Sequence, residues 1–422
     1  MRILIAVDFY PPFIGGVERQ MQLLARGLVQ RGHQVTVATG WAAGLPEQED
    51  DQGVSVHRLK GVWDRIPWFY SDPENRRGHP PCPDPLITRG LGRLIDQVQP
   101  EVVQAYCWIA YSCAAALRGT DIPLILLAAD FGYSCTTRNL MHHGSICDGP
   151  ALSKCIECAA RTMGWPKALA GVSGVFGFRR MLLRRVAAVA CVSDYVEQTI
   201  LRDLLNRLAE RPGYDPKSIQ TAWAPPIIDL KDDQEPSQET LEQLPSEPFM
   251  LFVGALANHK GVGPLLRAYE RLDSPPPLVL MGTRWAETPK SYPKGVTVFH
   301  NVPHGTVMAA WQRSLFGLTP SCCAEALGLV VLEAMIAGKA VIGSDVGGIP
   351  EMIEHQETGL LVPMGDAEAL AAAMQHLLDN PALCDRLGSA GQAWVQQHVL
   401  GIDPVKPMID LYMRLTTASS EA

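Results

Sequence analysis

At 422 residues the chain is longer than one hydrophobic core usually organises, which predicts two domains. Its 47% hydrophobic and 19% charged residues include no apolar run of about 18 residues, which excludes a membrane-spanning helix, and a net charge of −8 argues against nucleic acid as a partner. Eleven cysteines, an odd number in a chain this long, speak against a secreted disulfide framework.

The opening run MRILIAVD reads as a buried strand over 3–7 and lacks the length and cleavage site of a signal peptide, so a cytoplasmic location is expected. A loop carrying Gly15 and Gly16 leads into a helix over 17–30, in which Met21, Leu23, Leu24 and Leu28 share one side. A glycine pair there permits φ > 0 and a close backbone approach to a ligand. The spacing G-x-G-x-x-G is missing after this strand, which counts against a hydride-transfer enzyme. Strands follow over 34–39, 54–58, 102–105, 124–128 and 188–192, alternating with amphipathic segments as parallel strands with crossover helices do. Trp63, Trp68, Phe69 and Tyr70 form an aromatic loop suited either to stacking on sugar rings or to capping the domain. Asp130, just past the strand at 124–128, is a candidate site residue or a cap of the next segment.

Cys135, Cys147, Cys155 and Cys158 come next, the last two as C-x2-C. Thiolates at such spacings close a structural zinc site or remain reduced, with His142 and His143 as spare ligands. From Cys158 to Ser193 there is no acidic residue, while Arg161, Lys167, Arg179, Arg180, Arg184 and Arg185 are cationic and Trp165, Phe176 and Phe178 are apolar. That composition suits either an anionic membrane surface or a solvated helix face. Residues 229–248, rich in Asp, Glu, Gln, Pro and Ser, read as a linker between a domain over 1–228 and a second over 249–400.

In the second domain the strand pattern restarts over 249–254, 278–282, 296–299, 316–319, 340–344 and 359–362, and a last helix is expected near 404–415. The fold class is therefore α/β, two Rossmann-like, doubly wound domains facing a cleft, with ligands at the carboxyl ends of the strands. After the strand at 316–319 comes PSCCAEALGLVVLEAM, placing Glu325 on a loop and Glu333 inside a helix that starts near Gly328. A helix N-terminus at that point offers N–H groups and a positive dipole end to a diphosphate, with Gly328 and Leu329 supplying the backbone. The two carboxylates would accept from sugar or ribose hydroxyls.

This stretch resembles the donor-binding signature of glycosyltransferase family 4, two glutamates separated by seven residues. Phe252 to Val262, FVGALANHKGV, is similar to the family's diphosphate-holding strand and loop, and Gly359 to Pro363 with Asp366 is similar to its closing motif. The resemblance implies a GT-B fold whose first domain, 1–228, takes the acceptor and whose residues 401–422 form a helix crossing back to that domain. It implies a retaining hexosyltransferase that uses a nucleotide diphosphate sugar, needs no cofactor, and acts on a saccharide or lipid-linked acceptor in cell-surface polysaccharide biosynthesis. Lys260 matches the phosphate lysine, Glu325 the glutamate on the donor sugar, Glu333 that on the ribose, and Gly15 and Gly16 the loop facing the diphosphate. Front-face attack assisted by the donor phosphate is the mechanism implied. Two positions depart from the pattern, Ala129 where a histidine is common and Ala255 where an arginine is common. They leave His33, His259 or another cationic group to compensate, or a slow enzyme, and admit a non-catalytic sugar-nucleotide binder or a GT-B epimerase as alternatives.

Overall fold

The computed structural model describes residues 1–13, 15–66, 78–206, 219–228 and 235–420. Trp68, Phe69 and Tyr70, and residues 229–234 of the expected linker, lie outside the described residues. The chain divides into two compact units, one of residues 1–143, 147–227 and 403–422, the other of 144–146 and 228–402.

In the first unit, Ile3 to Val7 are all fully buried, as a strand covered on both faces requires. The sheet runs in space Gln220–Trp223, Val186–Cys191, Leu124–Ala128, Val102–Tyr106, Arg2–Val7, Gln34–Gly40, Val54–Leu59 and Gln48–Asp51. All pairings are parallel except the last, in which Gln48–Asp51 runs antiparallel to Val54–Leu59. Chain direction across the sheet reverses at Arg2–Val7, between Gln34–Gly40 and Val102–Tyr106, and ligands collect beside such a reversal. Helix Gly16–Gln30 buries Met21, Leu24 and Leu28 on the sheet, and the last helix, Lys406–Ser420, adds Met408, Leu411, Tyr412 and Leu415 to the same core. Tyr412 donates its hydroxyl to the buried Gln104 in the middle of the sheet.

The second unit is a six-stranded parallel sheet in the order Val296–His300, Leu278–Gly282, Phe249–Val253, Ser314–Thr319, Val341–Ser344 and Leu360–Val362. Its reversal falls between Phe249–Val253 and Ser314–Thr319. One core cluster packs helices Val262–Tyr269 and Ala367–Asp379 on one set of strand side chains. Another packs helices His304–Arg313, Leu329–Ile336 and Pro381–Val395 on the alternate set. Part of the expected linker belongs to this unit. Residues 235–248 include helix Gln238–Glu242, bury Leu244 in the core, and are tied down by Arg313, which donates to the Leu241 and Pro245 carbonyls. Polar composition hid Leu244, whose burial, with the partly buried Leu241 packed beside it, anchors the segment.

Candidate donor site and the N-terminal loops

Lys260 and Glu325 lie on loops after the two strands that flank the reversal of the second sheet, so topology alone makes them neighbours. Lys260 Nζ donates to Glu325 Oε1 at 2.6 Å, and Ser321 Oγ donates to the same oxygen at 2.6 Å. Among the described residues nothing bonds Glu325 Oε2. Burial works to raise the Glu325 carboxyl, but Lys260 and Ser321 outweigh it and hold the group below the usual carboxylate range. Burial likewise works to lower Lys260, and Glu325 outweighs it, raising the ammonium.

Glycines hold this geometry. Gly261 has φ 77°, and a Cβ on it would lie 1.7 Å from the Pro320 carbonyl oxygen, so the Lys260 loop rests on the backbone that leads to Glu325. The Cys322 amide bonds the His259 carbonyl at 2.8 Å, stitching the two loops. Gly347, at φ 64°, would put a Cβ 2.2 Å from the Glu325 carbonyl oxygen, to which the Gly348 amide donates at 2.9 Å. The task of Gly347 and Gly348 in backing the Glu325 loop is visible only in the three-dimensional contact.

Helix Leu329–Ile336 starts at Gly328, which has φ 93° and leaves the N-terminus without a side-chain cap. Glu333 lies inside it, and its Oε1 is 3.1 Å from His304 Nε2, at the start of helix His304–Arg313. No bond reaches Glu333 Oε2 among the described residues. Both carboxylates thus have one oxygen held by the protein and the other uncommitted. No spacing signal in the sequence points to Ser321 or His304.

Neither histidine named as a substitute cation serves. His33 stands at the amino end of strand Gln34–Gly40, 3.2 Å from the N-terminal amine, whereas ligands bind at carboxyl ends. His259 packs edge-on against Trp285 at 5.2 Å, and burial, reinforced by Lys260, lowers its pKa, keeping it neutral.

In the first unit Gly15 enters helix Gly16–Gln30 extended, at φ −180°, so the positive φ that a glycine permits is not used at that position. Asp8, at the end of the first strand, is buried, accepting from the Ile109 amide at 2.9 Å and the His79 amide at 3.2 Å. Burial raises its carboxyl despite His79 and Arg138. His79 Nδ1 donates to the Pro80 carbonyl at 2.7 Å, so the neutral ring accepts at Nε2 from Ser112 Oγ at 2.8 Å. Asp130 Oδ2 accepts from Tyr106 at 2.9 Å and from Arg138 Nε at 2.8 Å, while Oδ1 takes the Gly132 amide at 2.8 Å.

Of the two readings of the four-cysteine loop, the structure favours reduced thiols: among the described residues no three His, Cys, Asp or Glu side chains are arranged to hold a metal, although Cys135, Cys147, Cys155 and Cys158 lie within electrostatic reach of one another. All eleven cysteines are free thiols. Cys135 contacts Thr137 at 3.3 Å, Cys147 the Gly149 carbonyl at 3.5 Å and Cys158 the Met141 carbonyl at 3.4 Å. Burial raises Cys155 and Cys158, keeping them protonated. His142 and His143 pack edge to face on each other at 4.2 Å, and His143 Nδ1 sits 3.0 Å from Arg161.

The acid-free run forms the end of helix Leu152–Met163 and all of helix Trp165–Leu183. Arg179 is buried, its guanidinium 4.8 Å from the Phe176 ring, and Arg185 donates to the Thr120 and Ile122 carbonyls, so these two are structural. Arg180 and Arg184 are exposed, as are Trp165 and Leu169. No described helix is long and apolar enough to cross a membrane.

Residues 15–208 match the family profile described as Glycosyl transferase 4-like domain, and residues 233–394 match that described as Glycosyl transferases group 1. Among curated proteins, the alpha-maltose-1-phosphate synthase of Mycobacterium tuberculosis is 30% identical over 190 residues, 40% of this chain and 49% of that protein. The chain thus aligns with about half of that relative. The glycogen synthase of Mycobacterium tuberculosis is 25% identical over 427 residues, 93% of this chain and 89% of that protein. Among solved structures, sucrose-phosphate synthase from Thermosynechococcus elongatus superposes with a TM-score of 0.74 at 20% identity, covering 99% of this chain and 100% of that one. Anabaena HepE in complex with UDP and glucose gives 0.64 at 15% identity, covering 99% and 100%. The chain belongs to the GT-B glycosyltransferases of the family 4 type.

Proposed function

We propose that this glycosyltransferase moves a hexosyl unit from a nucleotide diphosphate sugar to a saccharide or lipid-linked acceptor with retention at the anomeric carbon. What supports the reading is the pair of half-committed carboxylates, Glu325 and Glu333, around an uncapped helix start at Gly328. Glu325 Oε2 is suited to donor sugar hydroxyls and Glu333 Oε2 to ribose hydroxyls. The amides at Gly328 and Leu329, with the helix dipole, suit the diphosphate. Lys260 is the cation that stabilises the leaving group's growing charge. The Gly15–Gly16 loop and Asp130 take the diphosphate-facing and acceptor-side roles that the family pattern gives them. Front-face departure and attack assisted by the donor phosphate, the route the family pattern implies, is the retaining route we assign.

HepE, whose structure holds UDP and glucose, is a precedent for the donor class. We assign the protein to the cytoplasm, resting on the anionic inner face of the membrane through Trp165, Leu169, Arg180 and Arg184, where a lipid-linked acceptor for surface polysaccharide would lie. The test is nucleotide release from UDP-, GDP- and ADP-sugars, preceded by a thermal-shift screen of the same donors. Release that depends on an added acceptor, with retained configuration in the product by NMR, is expected. Tight binding without release, or release with a free epimer, would refute it.

A further inference from the structure

Four thiols of the first unit, two from the loop after strand Leu124–Ala128 and two from helix Leu152–Met163, gather in one place. Cys155 and Cys158, three positions apart on that helix, share one face of it. Cys158 Sγ lies 3.4 Å from the Met141 carbonyl, and the Cys147 amide donates to the carbonyl of the preceding Leu140 at 2.8 Å, so two consecutive residues anchor both cysteines. Burial raises both helix thiols, and Cys135 and Cys147, within electrostatic reach, add to it.

Cys147 differs from the other three in what surrounds its sulfur, which is partly exposed and faces two cations. Lys154, in the first turn of the helix, works against burial: it bonds Asp148 and Cys147, and the two outweigh desolvation and raise its ammonium. Arg202, bound to Asp203 at 2.7 and 2.8 Å, also has Cys147 within electrostatic reach. Asp148, whose carboxylate lies 4.0 Å from the sulfur, is exposed and already paired with Lys154. The helix opens at Ala151 with no side-chain cap and no acid in its first turn. Lys154 reaches Cys155 too, so Cys155 is the helix thiol that shares this cation with Cys147. By contrast Cys191 and Cys323 are buried thiols pushed up to about 12. A sulfur that attacks an electrophile needs cations for its negative charge and access from solvent, and a sensing role adds a second thiol to close on. Cys147 has all three.

We infer that Cys147 is a thiol-modification site for hydroperoxides, and that its oxidised form closes a reversible disulfide with Cys155 beside Lys154. The Cys147 thiolate attacks one peroxide oxygen, the O–O bond breaks, and the departing oxygen takes up the thiol's own proton from solvent and leaves as water, giving a sulfenic acid. The Cys155 sulfur then attacks the Cys147 sulfur, the S–O bond breaks, and the oxygen leaves as water with the Cys155 proton. Two thiols and one hydrogen peroxide become one disulfide and two waters, both sulfurs oxidised and both peroxide oxygens reduced. The bond fastens the end of the loop that leads from Asp130 to the helix, and thiol reductants undo it.

The test uses the full chain, reduced, freed of reductant, treated with hydrogen peroxide and blocked with iodoacetamide. Trypsin cuts after Arg138, Lys154 and Arg161, which places Cys147 in peptide 139–154 and Cys155 with Cys158 in peptide 155–161. Mass spectrometry should find these two peptides joined, and dithiothreitol should separate them. Amide exchange over residues 129–147 should slow in the oxidised chain and recover on reduction. Cys158→Ser should keep the link, whereas Cys155→Ser should abolish it and let dimedone trap the sulfenic acid on Cys147. Lys154→Ala should slow dimedone capture roughly tenfold, and Lys154→Arg should restore it. One measurement needs no variant to fold: limiting iodoacetamide on the unaltered chain should label Cys147 ahead of the buried thiols. No joined peptide at any peroxide dose, a link to Cys158 or Cys135 in place of Cys155, or labelling of Cys147 no faster than of the buried thiols would overturn the site. So would stoichiometric zinc in the purified chain with its thiols inert to peroxide. None of these outcomes depends on turnover of a sugar donor, so the site stands or falls apart from the transferase reading.

Discussion

Removing Lys260 tests the proposed donor site at its most strongly coupled point. Glu325 is 12% exposed and Lys260 31%, with 2.6 Å between them. Taking one partner from a buried pair costs about 3–5 kcal/mol because the other charge is left uncompensated, and the partly exposed lysine puts Lys260→Ala toward about 2–3 kcal/mol. For a unit of this size that is a fall of roughly 4–12 °C in its melting temperature. The pH dependence identifies the cause. In the wild type the Glu325 pKa is depressed, so its contribution is present above the unfolded carboxylate pKa and is lost only as pH falls through the lower folded value. Without Lys260, burial dominates and the folded pKa lies above the unfolded one. The variant is then penalised most above the raised pKa and regains stability as acid neutralises the carboxyl. Differential scanning calorimetry at pH 7.5 and pH 5 should therefore show a smaller deficit at pH 5, and Lys260→Ala/Glu325→Gln should recover much of the loss at pH 7.5. A deficit equal at both pH values, with no rescue by Glu325→Gln, would refute the coupling.

Three other outcomes follow from single contacts. Glu333→Ala should abolish the thermal shift given by the matching nucleotide sugar, since hydrogen bonds to a charged group contribute about 1.5–3 kcal/mol each; isothermal titration checks it. Gly347→Ala forces a Cβ to 2.2 Å from the Glu325 carbonyl oxygen at φ 64°, and should cost about 1 kcal/mol or more in stability and weaken donor binding, read by denaturant melts and the same titration. Arg180→Gln with Arg184→Gln should release the protein from acidic vesicles in a sedimentation assay and leave its melting temperature unchanged, whereas Arg179→Gln, which disturbs a buried guanidinium, should lower it.

Much of this was legible in the chain because buried parallel strands are apolar on both faces, as 3–7 and 124–128 are, and such runs announce themselves. Gln48–Asp51 and Gln220–Trp223 were not legible, being edge strands of polar or mixed composition. Lys260, Glu325 and Glu333 stood out through motif resemblance, with spacing alone insufficient. Their supports did not, because Ser321, His304 and Gly347 act through contacts that no local pattern encodes. The cysteines show how far spacing reaches. It brings Cys135, Cys147, Cys155 and Cys158 within electrostatic reach of one another, yet whether four sulfurs take up a ligand geometry depends on loop paths that spacing does not determine.

Ala255 is where the family pattern and this site part, and restoring the arginine measures what was lost. The position follows strand Phe249–Val253 at the sheet reversal and is partly exposed, so a long side chain has a route toward the diphosphate region without entering the core. Lys260 already shares its charge with Glu325, and His259 is neutral, so the site supplies little unshared positive charge. A guanidinium aimed at a diphosphate contributes about 1.5–3 kcal/mol per charge-assisted bond, equivalent to roughly ten- to a hundredfold in affinity. Ala255→Arg should therefore tighten binding of the donor's nucleoside diphosphate by at least about tenfold. If the new charge serves the leaving group more than the intact donor, kcat should rise as well, because only interactions stronger in the transition state accelerate the chemical step. Added salt should erode part of the gain, as it does for partly exposed charges. Titration of the nucleoside diphosphate alone, followed by turnover with the sugar nucleotide, separates the two effects. Unchanged affinity in a folded Ala255→Arg protein would mean that this loop does not face the diphosphate, and the role assigned to Lys260 beside it would fall as well.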